Sequence, residues 1–192
     1  MTKEKRKTMT KKVLFIIGSL RKNSFNRQLA AKCSEILMQK GAEISELEYS
    51  NIPFMNQDAE TPVPASISRI RAEVAAADGI WIFTPEYNFA VPGVLKNLLD
   101  WLSRPLVPGD FTSGTAIAGK KVTMSGVGGK NATKNVRADL KKLLDFIKTN
   151  IICGEGNGFA ADGTAFQTDV LSLNENDLSV LEKQAEEFLK AL

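Results

Sequence analysis

The chain has 192 residues, 43% hydrophobic and 24% charged, which is enough for one domain with a full core and ordinary for a globular protein. No apolar run approaches the roughly 20 residues a membrane-spanning helix needs; the basic start MTKEKRKTMTKK lacks the apolar segment of a signal peptide, so no membrane span and a cytoplasmic location are expected. The formal charge of +3 is uneven: residues 1–12 carry a net +5 and leave −2 for the rest, which reads as a solvated, disordered tail over residues 1–11 ahead of a single domain over 12–192, and not as a nucleic-acid surface.

Lys12 to Gly18 is a continuous apolar run ending at glycine, the pattern of a central strand buried on both faces. After a polar loop, Phe25, Leu29, Cys33, Ile36 and Leu37 recur at helical spacing until Gly41. Residues 42–49 read as a second strand, 51–64 as a loop with three prolines, 65–77 as a helix and 79–83 as a third strand. Pro92 suits the first turn of a helix that turns Val94, Leu95, Leu98, Leu99 and Leu102 inward. Residues 121–125 are a fourth strand, followed by a turn over Gly126–Gly129 and a helix marked by Val136, Leu140, Leu143, Leu144 and Ile147. A short fifth strand at 151–153, an irregular or hairpin segment at 155–174 and a closing helix through Leu178, Leu181, Ala185, Phe188 and Leu192 complete the chain. Five strand–helix alternations predict an α/β domain with a five-stranded, doubly wound parallel sheet and helices on both faces.

The chain contains no histidine, which excludes a Ser-His-Asp triad, HExxH zinc chemistry and any histidine base. Cys33 and Cys153 are too few and too far apart for a disulfide framework, a metal site or an iron–sulfur cluster. Reactive chemistry must then come from carboxylates or from a cofactor. Gly114 to Lys121 imitates a phosphate loop, but it ends in Lys and precedes a strand, where a phosphate loop follows one. Trp81 and Trp101 read as core.

In open parallel sheets, ligands bind beyond the carboxyl ends of the strands at a switch point in strand order. Three polar turns fall there: Ser19–Asn26, Pro85–Asn88 and Ser125–Gly129. The first, GSLRKNSFN, combines hydroxyls, amides and Arg21 ahead of a helix N-terminus, which suits either a phosphate or a plain N-cap at Ser24. It has neither the P-loop nor the GxGxxG spacing.

GSLRKNSFN together with PEYNFAVPGVLKNLLDWLSR, residues 85–104, resembles the NADPH-dependent FMN reductase family, which includes bacterial quinone and chromate reductases. The resemblance runs from about Val13 to the last helix. It implies a flavodoxin-like fold and non-covalent FMN. By resemblance, Ser19, Arg21, Ser24, Phe25 and Asn26 hold the flavin phosphate, Pro85, Glu86, Tyr87 and Asn88 line the ring, and Ser125, Gly126, Val127 and Gly128 meet its pyrimidine edge. It further implies hydride transfer from NADPH or NADH to FMN, then to a quinone, flavin, azo compound or metal oxyanion in ping-pong order, by a homodimer or homotetramer. Asn23 stands where many relatives carry glycine, and SGVGG is shorter than the corresponding turn. A flavodoxin-type electron carrier or a flavin-binding redox sensor is the alternative.

Overall fold

The computed structural model describes residues 10–192. The tail expected over residues 1–11 therefore lies almost wholly outside the described residues. Lys11, at its end, is tied to the body: its Nζ donates to the backbone oxygen of Leu192 at 2.8 Å.

The apolar run after Lys11 forms β1 (Lys12–Ile17), with Val13 to Ile17 all buried. Along it, period-two alternation sends Leu14 and Ile16 to one face of the sheet and Val13, Phe15 and Ile17 to the other. The helices divide in the same way. Helices α2 (Ala65–Ala76), α3 (Gly93–Leu102) and α4 (Lys134–Phe146) cover the first face. The second is covered by α1 (Phe25–Gln39), the short α5 (Gly163–Thr168) and α6 (Glu175–Ala191). Burying Leu95, Leu98, Leu99 and Leu102 of α3 stabilises that face by about 1.5–3 kcal/mol per side chain. Pro92 sits just outside α3 as its N-cap, one residue ahead of the expected first turn.

The sheet order is β2-β1-β3-β4-β5, with β2 at Glu43–Glu46, β3 at Gly79–Phe83 and every pairing parallel. This is the flavodoxin-like order, in which the chain winds outward from β1 in one direction and then from β3 in the other, leaving a crevice between them.

Two expectations are corrected. First, β4 does not stop at Ser125; it runs from Lys121 to Gly128. Second, the segment after β5 (Asn150–Ile151) is neither irregular nor a hairpin. It contains β6 (Asn157–Ala160), which pairs with β4 from Ser125 to Gly128, and then α5. Lys121 faces Asn150 while Ser125 faces Asn157, so β5 and β6 form one broken strand with three residues looped out between them. Arg137 of α4 fastens that excursion by donating to the carbonyls of Glu155 (3.1 Å) and Gly156 (2.8 Å). The partner strand keeps β4 extended where glycines alone suggested a turn: each extra residue gains a ladder partner for its backbone groups.

Candidate functional site

The crevice at the carboxyl ends of β1, β3 and β4 is a cleft of about 370 Å³. Its first wall is the β1–α1 loop. Ser24 is the N-cap of α1, its Oγ accepting from the amide of Arg27 at 3.1 Å. The amides of Phe25 and Asn26 have no partner among the described residues. They form the positive end of a 15-residue helix. Ser19 is nearly buried; its Oγ accepts from the amide of Arg21 and lies 3.3 Å from the Tyr87 hydroxyl. The guanidinium of Arg21 lies 5.9 Å from the Phe25 ring centre.

Asn26 does something its place in the motif did not disclose. Its side chain is buried and clamps β4, accepting from the Val127 amide at 2.9 Å and donating to the Val127 carbonyl at 3.0 Å. Of its polar groups, that leaves the backbone amide for a ligand.

The second wall is the turn after β3. Pro85 is buried and lines the cleft with Glu86 and Tyr87. The Glu86 carboxylate is committed to α4: it accepts from the amide of Val136 at 2.9 Å and from the side chains of Asn131 (2.9 Å) and Asn135 (3.3 Å). Thr133, the N-cap of α4, caps nothing with its side chain, so Glu86 supplies the missing acceptor and a negative charge at the helix start. Asn88 and Phe89 both have positive φ, 52° and 62°, between the paired Tyr87 and Ala90. That geometry is a tight type I′ turn. Asn88 is at its tip and is not among the residues lining the cleft.

The third wall is the end of β4. Val127, Gly128 and Gly129 line the cleft; Ser125 and Gly126 do not. Ser125 is fully buried, accepting from Trp81 Nε1 at 3.1 Å and donating to Gln184 Oε1 at 3.0 Å. Gln184, also buried, ties α6 to Thr123, Met124 and Asn157. Gly126 is where the chain passes closest: an added Cβ would lie 2.4 Å from Thr133 Oγ1 and 2.5 Å from the Thr84 carbonyl. Both residues were expected to touch the flavin edge. Because the strand continues through them, Ser125 instead faces α6 and Gly126 packs against the chain.

The fourth wall was missed. Phe166 of α5 and Asp169, its C-cap, complete the cleft. Phe166 meets the edge of Phe25 at 5.4 Å between ring centres. Asp169 forms an ion pair with Arg21, and hydrogen bonds from Arg21 and Asn23 hold its carboxyl below the usual range. The available signal was Asp162, whose side chain accepts from the amide of Ala165 as an N-cap. In a helix of only six residues it does not stand out from a loop aspartate.

One end of the cleft therefore gathers a guanidinium, hydroxyls and two free helix amides. The rest of the lining includes Pro85, Glu86, Tyr87, Val127 and two glycines. A dianionic phosphate joined to a planar ring system fits that donor set. No cluster of His, Cys, Asp or Glu among the described residues could hold a metal ion.

Fold and cleft together define a flavodoxin-like flavoprotein. Residues 11–162 match the family described as NADPH-dependent FMN reductase, and the chain belongs to that family. As a member it is an oxidoreductase with FMN as cofactor and NAD(P)H as hydride donor. The chain is 32% identical over 179 residues to NAD(P)H-dependent FMN reductase of Pseudomonas aeruginosa, covering 89% of this chain and 93% of that protein. It is 40% identical over 97 residues to 2-hydroxy-1,4-benzoquinone reductase of a Burkholderia species, where the match spans about half of either protein, 50% and 52%. Among solved structures, FerB, a flavoenzyme NAD(P)H:(acceptor) oxidoreductase from Paracoccus denitrificans, superposes with a TM-score of 0.81 at 25% identity, covering 94% of this chain and 96% of FerB. Among the described residues no helix is long and apolar enough to cross a membrane.

Proposed function

We propose that the chain moves electrons from NAD(P)H to a quinone through FMN held in this cleft. The observation that carries the reading is that Arg21 and two amides of α1 with no partner among the described residues line one cleft with Pro85, Tyr87, Val127 and Gly128. When bound, FMN supplies a ring that takes a hydride from a reduced nicotinamide and passes electrons to an acceptor.

The chain's residues do the holding. Ser19, Arg21, Ser24 and the amides of Phe25 and Asn26 bind the phosphate, where helix-end charge and hydrogen-bond donors favour an anion. Pro85, Tyr87, Val127 and Gly128 line the ring. Glu86, by capping α4, fixes the turn that carries Tyr87. With no histidine, no side-chain base of that kind takes part. Donor and acceptor use the same open side of the cleft in turn, giving ping-pong kinetics. The quinone assignment takes support from the names of the relatives; flavins, azo compounds and metal oxyanions need only the same open face. A homodimer or homotetramer, a cytoplasmic location and a single domain from Lys12 onward belong to the same reading.

The test is to purify the protein without added flavin, record its visible spectrum, and add NADPH or NADH anaerobically, then a benzoquinone. A yellow protein that releases FMN on denaturation, bleaches with nicotinamide and recolours with quinone is expected. A yellow protein that neither donor bleaches would make it an electron carrier or sensor. A colourless protein that FMN does not reconstitute would remove the cofactor assignment.

A further inference from the structure

Asp169 places a carboxylate at the end of the cleft where Ser19, Ser24 and the α1 amides collect donors for an anion. An exposed ion pair by itself contributes little, and the Arg21 and Asp169 side chains are 53% and 42% exposed. This pair is riveted by its neighbours. Asn23 Nδ2 donates to both the Asp169 carbonyl (2.9 Å) and its Oδ2 (2.8 Å). Gln28 Nε2 donates to the same carbonyl at 3.0 Å, and Gln28 Oε1 accepts from the amide of Leu171 at 2.7 Å. Asp169 itself sits at φ 60°, a left-handed conformation that a side chain-bearing residue adopts at a cost. The β1–α1 loop thus holds the segment after α5 by both its backbone and its charge.

We infer that Asp169 is a built-in competitor for the flavin phosphate: its carboxylate pairs with Arg21, the same guanidinium that a phosphate dianion in the cleft would draw on. This rests on the cleft being the FMN site. Two anions cannot share one cation without mutual repulsion, so Asp169 lowers the affinity for FMN while leaving the affinity for the uncharged part of the molecule alone. Its effect is to make the cofactor exchangeable and to weaken selection for the phosphorylated flavin over riboflavin.

The experiment uses the full-length apoprotein, titrated with FMN and separately with riboflavin, followed by quenching of flavin fluorescence at low ionic strength. Asp169→Asn is the informative variant, because asparagine tolerates the left-handed backbone and keeps the shape. Freeing Arg21 from its carboxylate partner, together with the loss of one screened like charge, should tighten FMN binding about tenfold and leave riboflavin within about twofold. In an Arg21→Gln background the same substitution should change FMN affinity by less than about threefold, because no guanidinium is left to release and only screened repulsion between carboxylate and phosphate remains. Equal or weaker FMN binding by Asp169→Asn would overturn the inference and make Asp169 a residue that orients Arg21. A full gain without Arg21, or an equal gain for riboflavin, would overturn it as well. If the wild-type chain binds neither flavin, the assignment of the cleft itself fails, and the inference falls with it.

Discussion

The stretches after β1 and after β4 look alike in sequence: each is an apolar strand running into small and polar residues at the carboxyl edge of the sheet. They behave in opposite ways. After Ile17 the strand ends, the loop turns into α1, and Ser19, Arg21, Ser24 and Phe25 line the cleft. After Ser125 the strand continues to Gly128 and turns Ser125 into the core. The difference lies in the neighbouring strands. β2 reaches only Glu46, opposite Phe15, and β3 pairs with β1 only as far as Ile17, whereas beyond the last β3 partner at Ser125 β6 pairs with β4 to Gly128. A strand extends as far as something pairs with it, and a composition rich in glycine does not by itself end it.

The sharpest way to break this comparison is at Gly126. Gly126→Ala forces a Cβ against the Thr84 carbonyl and Thr133, and is expected to destabilise by about 1–3 kcal/mol or more in urea denaturation. Gly129→Ala, with nothing within 4 Å of an added Cβ, should stay within about 0.5 kcal/mol of wild type. Equal losses at both positions would mean that the stretch is a turn after all. Next is Asn26→Ala, which strips both partners from the Val127 backbone and should cost about 2–3 kcal/mol in the same assay. It tests whether this residue is a clamp first and a ligand contact second.

Ser125→Ala and Ser24→Ala then divide the two regions by function. The first leaves Trp81 Nε1 unpaired and should cost about 1–2 kcal/mol with FMN affinity unchanged. The second removes an N-cap, costs about 1 kcal/mol, and should weaken FMN binding as well. Weaker FMN binding by Ser125→Ala would return that residue to the cleft. The smallest effect concerns Cys153, in the excursion between β5 and β6. Burial is the main cause that pushes its thiol up to about 11. Iodoacetamide should therefore alkylate it slowly at pH 8 and faster as the pH approaches 11. The unfolded thiol ionises lower, near 9, so ionisation favours the unfolded chain from there upward and this residue's contribution to stability falls as pH rises. Rapid alkylation at pH 8 would show that the excursion opens.

Much of the site was legible. Turn chemistry put Ser19, Arg21 and Ser24 at the start of a helix without deciding between a phosphate and a plain N-cap, and the family resemblance named them with Phe25, Pro85 and Tyr87; all of them line the cleft. Glu86 lines it too, but its charge serves α4. Asn88 stands at the turn tip because the chain reverses through it with positive φ. Phe166 and Asp169 escaped because their partners, Phe25 and Arg21, lie far away in the chain, and nothing local to residues 163–169 signals a cleft.

By itself the sequence determined the alternation of strands and helices, the two faces of the sheet and the loops that flank the crevice. These follow from period and turn chemistry, which act over a few residues. Only the tertiary structure decided where β4 ends, that Asn26 clamps it from 101 residues away, and that Arg21 meets a carboxylate 148 residues further on. A hydrogen-bonding side chain takes whichever partner the folded chain brings within about 3 Å, and that choice is made by packing between elements distant in sequence.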